Sequence, residues 1–436
     1  MLQAGFARLD VTPPFGVPLA GYYEKRLADG ILDPIQVNAL ALHDGARTVV
    51  IVTADVLMIS AVECDKMREM INERTGIGAE NVMLAALHPH TSVRIGGLPR
   101  VALQDREYLD LFYRKVADVA QLAIADLAEA TKGVACGELE RPVSFVRRYW
   151  LADGRGVRTN PGHKTPEELS GPVSKADNTV RLVRFKREQG GDIALVNFAT
   201  HPDTIGKTKF SADWPGFVRR LVEAEHPGAH CIFLNGFEGD ANHINYMQEK
   251  EGRFWKGYDG CGAIGCVIAN GVNAIWDKTV SVEGDTLYAE QKSVYIPTST
   301  RGLEYYEECK ELSERYRAGD RSVTVTPHGF GVPEANRIAD IPNRLVLNRL
   351  PLTVLGIGDI AILGLGGEPF TDYIYAARDA APQKFMLTAC CANGGEGYFP
   401  TAAAYEQGGY EVDTSPFNPD VEALIMDAAA EMLKGF

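Results

Sequence analysis

Three times along this chain, two apolar, β-rich runs flank a short turn. Residues 37–42 and 48–53 flank His43-Asp44-Gly45-Ala46-Arg47, and residues 179–185 and 193–198 flank Lys186-Arg187-Glu188-Gln189-Gly190-Gly191. Residues 352–355 and 360–365 flank Gly356-Ile357-Gly358-Asp359. Each arrangement predicts a β-hairpin. Helical spacing follows the first hairpin over 62–73, and a further apolar run over 82–87 ends at His88. Strand, helix and strand within about forty residues predict a crossover with parallel strands. The clearest amphipathic pattern runs over 106–130 and predicts a long helix, with another expected over 215–225. The run 231–234 leads into Asn235-Gly236-Phe237-Glu238-Gly239-Asp240-Ala241-Asn242. Residues 280–341 carry no clear period and read as an excursion covering a site. The pattern predicts an α/β fold with a mixed β-sheet core flanked by helices. No linker, internal repeat or shift of composition marks a boundary, so a single large domain over 1–436 is expected.

Composition narrows the class. Of 436 residues, 45% are hydrophobic and 23% charged, ordinary values for a globular chain large enough to bury a substantial core. The net charge of -14 argues against nucleic acid or anionic membranes as partners. No stretch approaches the roughly 18 uninterrupted apolar residues of a spanning helix, so no stable membrane insertion is expected. The N-terminus has no basic region followed by an apolar run, which predicts no signal peptide and a cytoplasmic protein. Eight cysteines, none in a CxxC pair, read as reduced, mostly buried thiols.

The candidate chemistry sits just past the strands, where ligand sites of α/β sheets usually lie. In His88-Pro89-His90 the two imidazoles stand at i and i+2, and extended backbone puts both on one face. His201 follows Asn197-Phe198-Ala199-Thr200 and precedes Pro202-Asp203, where Asp203 either orients His201 or forms the turn. Glu368 lies in Leu365-Gly366-Gly367-Glu368-Pro369-Phe370 and is either an oxygen ligand or a first-turn helix acid. Two histidine sites and a glutamate at strand ends fit a catalytic zinc with an open position. Asp55, Asp213 and Asp240 either orient ligands or cap loops. The chain has no HExxH, no GxSxG and no glycine-rich phosphate loop, which excludes zincins, nucleophile-elbow hydrolases and common nucleotide binders.

Taken in order, these motifs resemble the neutral (alkaline, non-lysosomal) ceramidase family. The resemblance runs through Ala4-Gly5-Phe6-Ala7-Arg8-Leu9-Asp10-Val11-Thr12-Pro13-Pro14, Ala20-Gly21-Tyr22, Thr53-Ala54-Asp55 and Leu87-His88-Pro89-His90-Thr91-Ser92. It continues through Phe198-Ala199-Thr200-His201-Pro202, Ser211-Ala212-Asp213-Trp214-Pro215-Gly216 and the 235–242 loop. Gly367-Glu368, Tyr398, Tyr405 and Tyr410-Glu411 complete it. The resemblance implies zinc held by His88, His201, Glu368 and Tyr398, with His90 and Tyr410 facing the scissile amide. It also implies an arginine contacting substrate at Arg147 or Arg148, and Arg148 is favoured. Ceramidases carry a secretion signal and a C-terminal immunoglobulin-like domain, neither of which is expected here. His-Pro-His stands in place of the more usual His-Thr-His, and Phe399-Pro400-Thr401-Ala402-Ala403-Ala404 replaces a threonine-rich stretch. The resulting expectation is a zinc-dependent amidohydrolase acting on a small, soluble N-acyl substrate. The alternatives are a carbohydrate esterase or deacetylase on the same scaffold, and a non-catalytic binding protein with a degenerate site.

Overall fold

The structure, a computed structural model, describes residues 1–97, 103, 105–162, 164–248 and 255–436. Strand β1 (Gln3–Asp10) pairs with β2 (Gln36–His43), which forms the first predicted hairpin with β3 (Thr48–Ala54). Helix α1 (Ala61–Thr75) leads to β4 (Val82–Ala86), parallel to β3. After α2 (Arg106–Ala125) come β5 (Ala128–Glu138) and the second hairpin, β6 (Thr179–Arg187) and β7 (Ile193–Phe198). Helix α3 (Asp213–Glu225) then leads to β8 (His230–Asn235), parallel to β7, and α4 (Gly257–Ile275) follows. These strands make a nine-stranded sheet in the order β8-β7-β6-β5-β1-β2-β3-β4, with the short strand Val280–Ser281 beside β5.

A second, four-stranded sheet is made later in the chain. Strand β9 (Leu287–Pro297) precedes α5 (Tyr306–Arg317) and α6 (Val332–Asp340). The third hairpin, β10 (Leu347–Ile357) and β11 (Ile360–Leu365), leads through α7 (Asp372–Ala380) to β12 (Phe385–Ala389). Their order is β9-β10-β11-β12, the last pair parallel. Helices α8 (Ala402–Gln407), α9 (Tyr410–Thr414) and α10 (Val421–Lys434) close the chain. Hairpin, helix and parallel strand thus recur three times, as β2-β3-α1-β4, β6-β7-α3-β8 and β10-β11-α7-β12. The sequence shows no repeat because the three units share topology but not side chains.

The two sheets pack face to face. Leu40, Leu42, Val49 and Ile51 of the first meet Leu355, Ile357, Ile360 and Ile362 of the second. The alternate residues Ala39, Ala41, Val50 and Val52 turn outward onto Met67, Ile71, Phe112 and Val116 of α1 and α2. Helices α3 and α4 cover the rest of that face through Val218, Val222, Ile264 and Ile268. Ile374 and Ile425, on α7 and α10, cover the far face of the second sheet. Burial on both faces makes these strands read as unbroken apolar runs rather than alternating ones. Among the described residues, no helix is long and apolar enough to cross a membrane.

Two expectations are corrected. The helix expected over 106–130 stops at Ala125, and Ala128 to Ala130 begin β5. Asp126 ends it: its carboxylate accepts the Phe6 N–H at 2.9 Å and the Arg187 guanidinium at 2.5 Å, tying the chain into the sheet. The following residues then satisfy their backbone against β1 and β6 instead of a further helical turn. The segment 280–341 is not simply an excursion. It supplies β9, paired with β10 along all eleven residues, and the α5–α6 pair with its own small apolar cluster. Arg301 and Arg337 donate to the Val412 and Asp413 carbonyls, so the turn before α5 and helix α6 brace α9.

Asp55, just past β3, is structural. It accepts both guanidinium nitrogens of Arg219 on α3, at 2.9 and 2.7 Å, and the Gln36 N–H at 2.9 Å, all buried. Asp55→Ala leaves the Arg219 charge buried and unpaired. A loss of about 3–5 kcal/mol is expected, measured by denaturant unfolding. A loss under about 1 kcal/mol would mean that Arg219 finds another partner.

Candidate metal centre

The three predicted strand-end positions converge. His88, two residues past β4, has the positive φ of 69°, rare for a non-glycine residue, which turns its ring off the strand direction. Its Nδ1 lies 2.8 Å from the Leu57 carbonyl oxygen, so that nitrogen carries the proton and donates it. The Nε2 lone pair is left facing Glu368, 3.4 Å from Oε2. His201, three residues past β7, donates through Nδ1 to the Glu238 and Ala241 carbonyls at 2.8 and 2.9 Å. Its Nε2 lies 3.2 Å from the same Glu368 oxygen. Backbone carbonyls therefore fix both tautomers with Nε2 inward, the usual support of metal-binding imidazoles.

Glu368 is held by a short parallel pairing of Glu368–Pro369 with Tyr398–Phe399, in which Glu368 lies opposite Tyr398. The 235–242 loop presses onto it. A Cβ at Gly239 would lie 2.3 Å from the Glu368 carbonyl oxygen, so only glycine fits there. That approach brings in Glu238, to which the sequence reading gave no role. His88, His201, Glu238 and Glu368 are all buried, and each places one donor atom within 4.8 Å of the others. His88, His90 and His201 form an overlapping set on the same criterion. Imidazole nitrogens with carboxylate oxygens are a donor set for a borderline or hard divalent cation. The residues present can hold a metal ion.

Their electrostatics agree with that use. Burial, helped by Arg147, pushes His201 down to about 4, which keeps it neutral and able to ligate. Burial works to lower His88 too, but the Glu368 carboxylate holds it above the ordinary imidazole value. Against its own burial, Glu368 is held well below the usual carboxylate range by His88 and His201. Burial raises Glu238 well above that range.

His90 stands beside the cluster. Its ring centroid is 5.1 Å from that of His88 and 5.9 Å from that of His201. Neither ring nitrogen has a hydrogen-bond partner; the nearest acid is Asp203, whose Oδ1 lies 3.7 Å from Nδ1. Asp203 also takes the Tyr22 hydroxyl. Asp203 therefore serves His90 and Tyr22, not His201, which the two backbone carbonyls orient. Asp213 accepts the Thr204 and Ile205 N–H groups, and Asp240 accepts that of Thr371, so both pin loops around the site.

The tyrosines and arginines line the other side. The Tyr398 ring stacks on His201 at 6.4 Å, and Tyr410 meets Tyr398 edge-on at 5.8 Å. Of the two arginines, it is Arg147 that faces the cluster, not Arg148. Its guanidinium lies 5.5 Å from the Tyr398 ring centre and 5.8 Å from that of Tyr410. Glu411 and the Gly239 carbonyl hold it at 2.7 and 2.8 Å. Arg148 is fully buried and bonds Glu411 at 3.2 Å and Gln407 at 3.1 Å. It thereby fixes α8 and α9, and with them Tyr410. Strand alternation separates the two neighbours onto opposite sides but does not say which side holds the site. Tyr22 and Tyr23, 43% and 40% exposed, stand at the mouth, and the Tyr23 hydroxyl lies 3.3 Å from that of Tyr410.

No protein-family model matches the sequence, and no curated protein matches it. Solved structures do match in fold. One is the neutral ceramidase from Pseudomonas aeruginosa, at 19% identity and a TM-score of 0.72, covering 99% of this chain and 74% of that one. Another is a ceramidase complexed with C2, at 17% identity, with the same TM-score and coverage. Along nearly its whole length, this chain adopts the fold of the neutral ceramidases.

Proposed function

We propose that this chain is a zinc-dependent hydrolase of linear amide bonds, acting on an N-acyl substrate more soluble than ceramide. The observation that carries this reading is the convergence of His88 Nε2 and His201 Nε2 on one Glu368 oxygen, within a fold shared with ceramidases. His88, His201 and Glu368 would hold the zinc, with the Tyr398 phenol as a further ligand. A zinc ion held there supplies Lewis acidity, polarising the amide carbonyl and making water a nucleophile near neutral pH.

The chain's own groups do the rest. His90, with both ring nitrogens uncommitted, takes the proton lost from the attacking water and returns it to the departing amine. Tyr410 donates a hydrogen bond to the carbonyl oxygen as negative charge grows there. Arg147, ion-paired to Glu411 and set beside the Tyr398 and Tyr410 rings, contacts the substrate. The proposal takes the whole of residues 1–436 as one catalytic domain, working in the cytoplasm.

The mouth supports a polar substrate. Half-exposed Tyr22 and Tyr23 stand there with Asp203 and Arg26, whose guanidinium lies over the Tyr22 ring. Such a rim favours hydrogen-bonding groups over a long alkyl chain, which gains about 0.8 kcal/mol per methylene only where it is buried. Exposed tyrosines also stack on sugar rings, so acetylated sugars belong in the assay. The test is a series of N-acyl amines of rising chain length, without detergent, beside acetylated sugars. Amine release is expected to peak at short or middle chains. Efficiency climbing steadily to long chains would restore a lipid substrate, and acetate release from sugars alone would make the protein a deacetylase or esterase.

A further inference from the structure

Among the described residues, Glu238 is the only acid whose two carboxylate oxygens are both buried and without a hydrogen-bond partner. An isolated buried carboxylate is costly, and native structures seldom leave one unmet. Here the chain cannot relax it away. The Glu238 carbonyl is committed to His201 Nδ1, and the Gly236 and Gly239 N–H groups to the Phe198 and Pro369 carbonyls, each at 2.8 Å. The close approach at Gly239 locks the loop against Glu368. The side chain is thus fixed with its oxygens among His88, His201 and Glu368.

A divalent ion held among these four residues would give the Glu238 carboxylate the partner it lacks, beside the inward-facing Nε2 atoms of His88 and His201. We infer that Glu238 is itself a metal ligand, so that the centre offers two imidazoles and two carboxylates. This inference rests on the metal reading of the site and adds to it a residue that the ceramidase resemblance does not assign. A second carboxylate makes the donor set harder, which raises the affinity for Mn2+ relative to Zn2+.

The test is equilibrium binding of Zn2+ and of Mn2+ to metal-free protein, by competition with a chelator, for the wild type, Glu238→Gln and Glu368→Gln. Glu238→Gln keeps the shape and removes the charge. It is expected to weaken Zn2+ by at least about tenfold and Mn2+ by more. Its metal-free form should unfold at a temperature close to that of the wild type, since glutamine keeps the shape of the buried side chain, and should gain less on adding Zn2+. If Glu238→Gln binds both ions as tightly as the wild type while Glu368→Gln does not, Glu238 is no ligand and the metal centre stands. If neither variant loses affinity, the metal reading itself falls. Should the glutamine variant fail to fold, Glu238→Asp carries the same comparison, since the shorter acid keeps the charge and withdraws the oxygens.

Discussion

Glu368→Ala is expected to strip the protein of metal and of activity together. Dialysed wild-type protein should carry about one zinc per chain. The variant should fall well below that, with turnover at background. The expectation follows from the geometry, because Glu368 Oε2 is the point on which both histidines are aimed, at 3.4 and 3.2 Å. Removing a group outside the ligand shell typically costs about 10–100-fold in metal affinity, and removing the central acid should cost more. His201→Ala should behave alike, since His201 presents the same lone pair and is oriented by two carbonyls. Glu368 also sits in the pairing with Tyr398, but through its backbone, which alanine preserves. Loss of metal with an unchanged unfolding profile of the metal-free form therefore separates ligation from structure. Full zinc retention in both variants, by elemental analysis, would mean that the ligand assignment is wrong.

The parts of this site that the sequence displays are those attached to strands. His88, His201 and Glu368 each follow a run buried on both faces, so a polar residue just past it stands out against apolar neighbours. The three hairpins were legible for the same reason. Strand β9 was not, because it is an edge strand with mostly half-exposed residues, and Leu287–Pro297 reads as polar. Helix α4 left no mark either. It is rich in glycine, a poor helix former, and the glycines are there because α3 packs too close for larger side chains. A Cβ at Gly265 would lie 2.4 Å from that of Phe217. Glu238 was hidden differently. An acid beside glycine looks like a turn residue, and its role depends on partners far away in sequence, His88 and Glu368. The choice between Arg147 and Arg148 likewise depended on where Glu411 and Gln407 lie, which no local pattern carries.

His90→Ala is expected to retain metal and lose roughly 10² or more in turnover, the scale of a positioned acid–base group. His88→Ala should instead lose metal, though only Pro89 separates the two. The contrast rests on commitment. His88 has Nδ1 bound to Leu57 and Nε2 facing Glu368, whereas both nitrogens of His90 are free and its ring lies toward Tyr22 and Asp203. The pH profile gives an independent reading. Burial, with His88 adding to it, holds His90 well below the ordinary imidazole value. A lowered value keeps the neutral, proton-accepting form present as pH falls through about 6.5, the unperturbed imidazole pKa. The acid limb of kcat attributable to His90 should therefore lie below that pH, and conversion to alanine should remove it. Were His90→Ala to lose its zinc while His88→Ala kept it, the two roles would have to be exchanged. A variant that kept both metal and full turnover would take His90 out of the chemistry and leave proton transfer to solvent or to Tyr410.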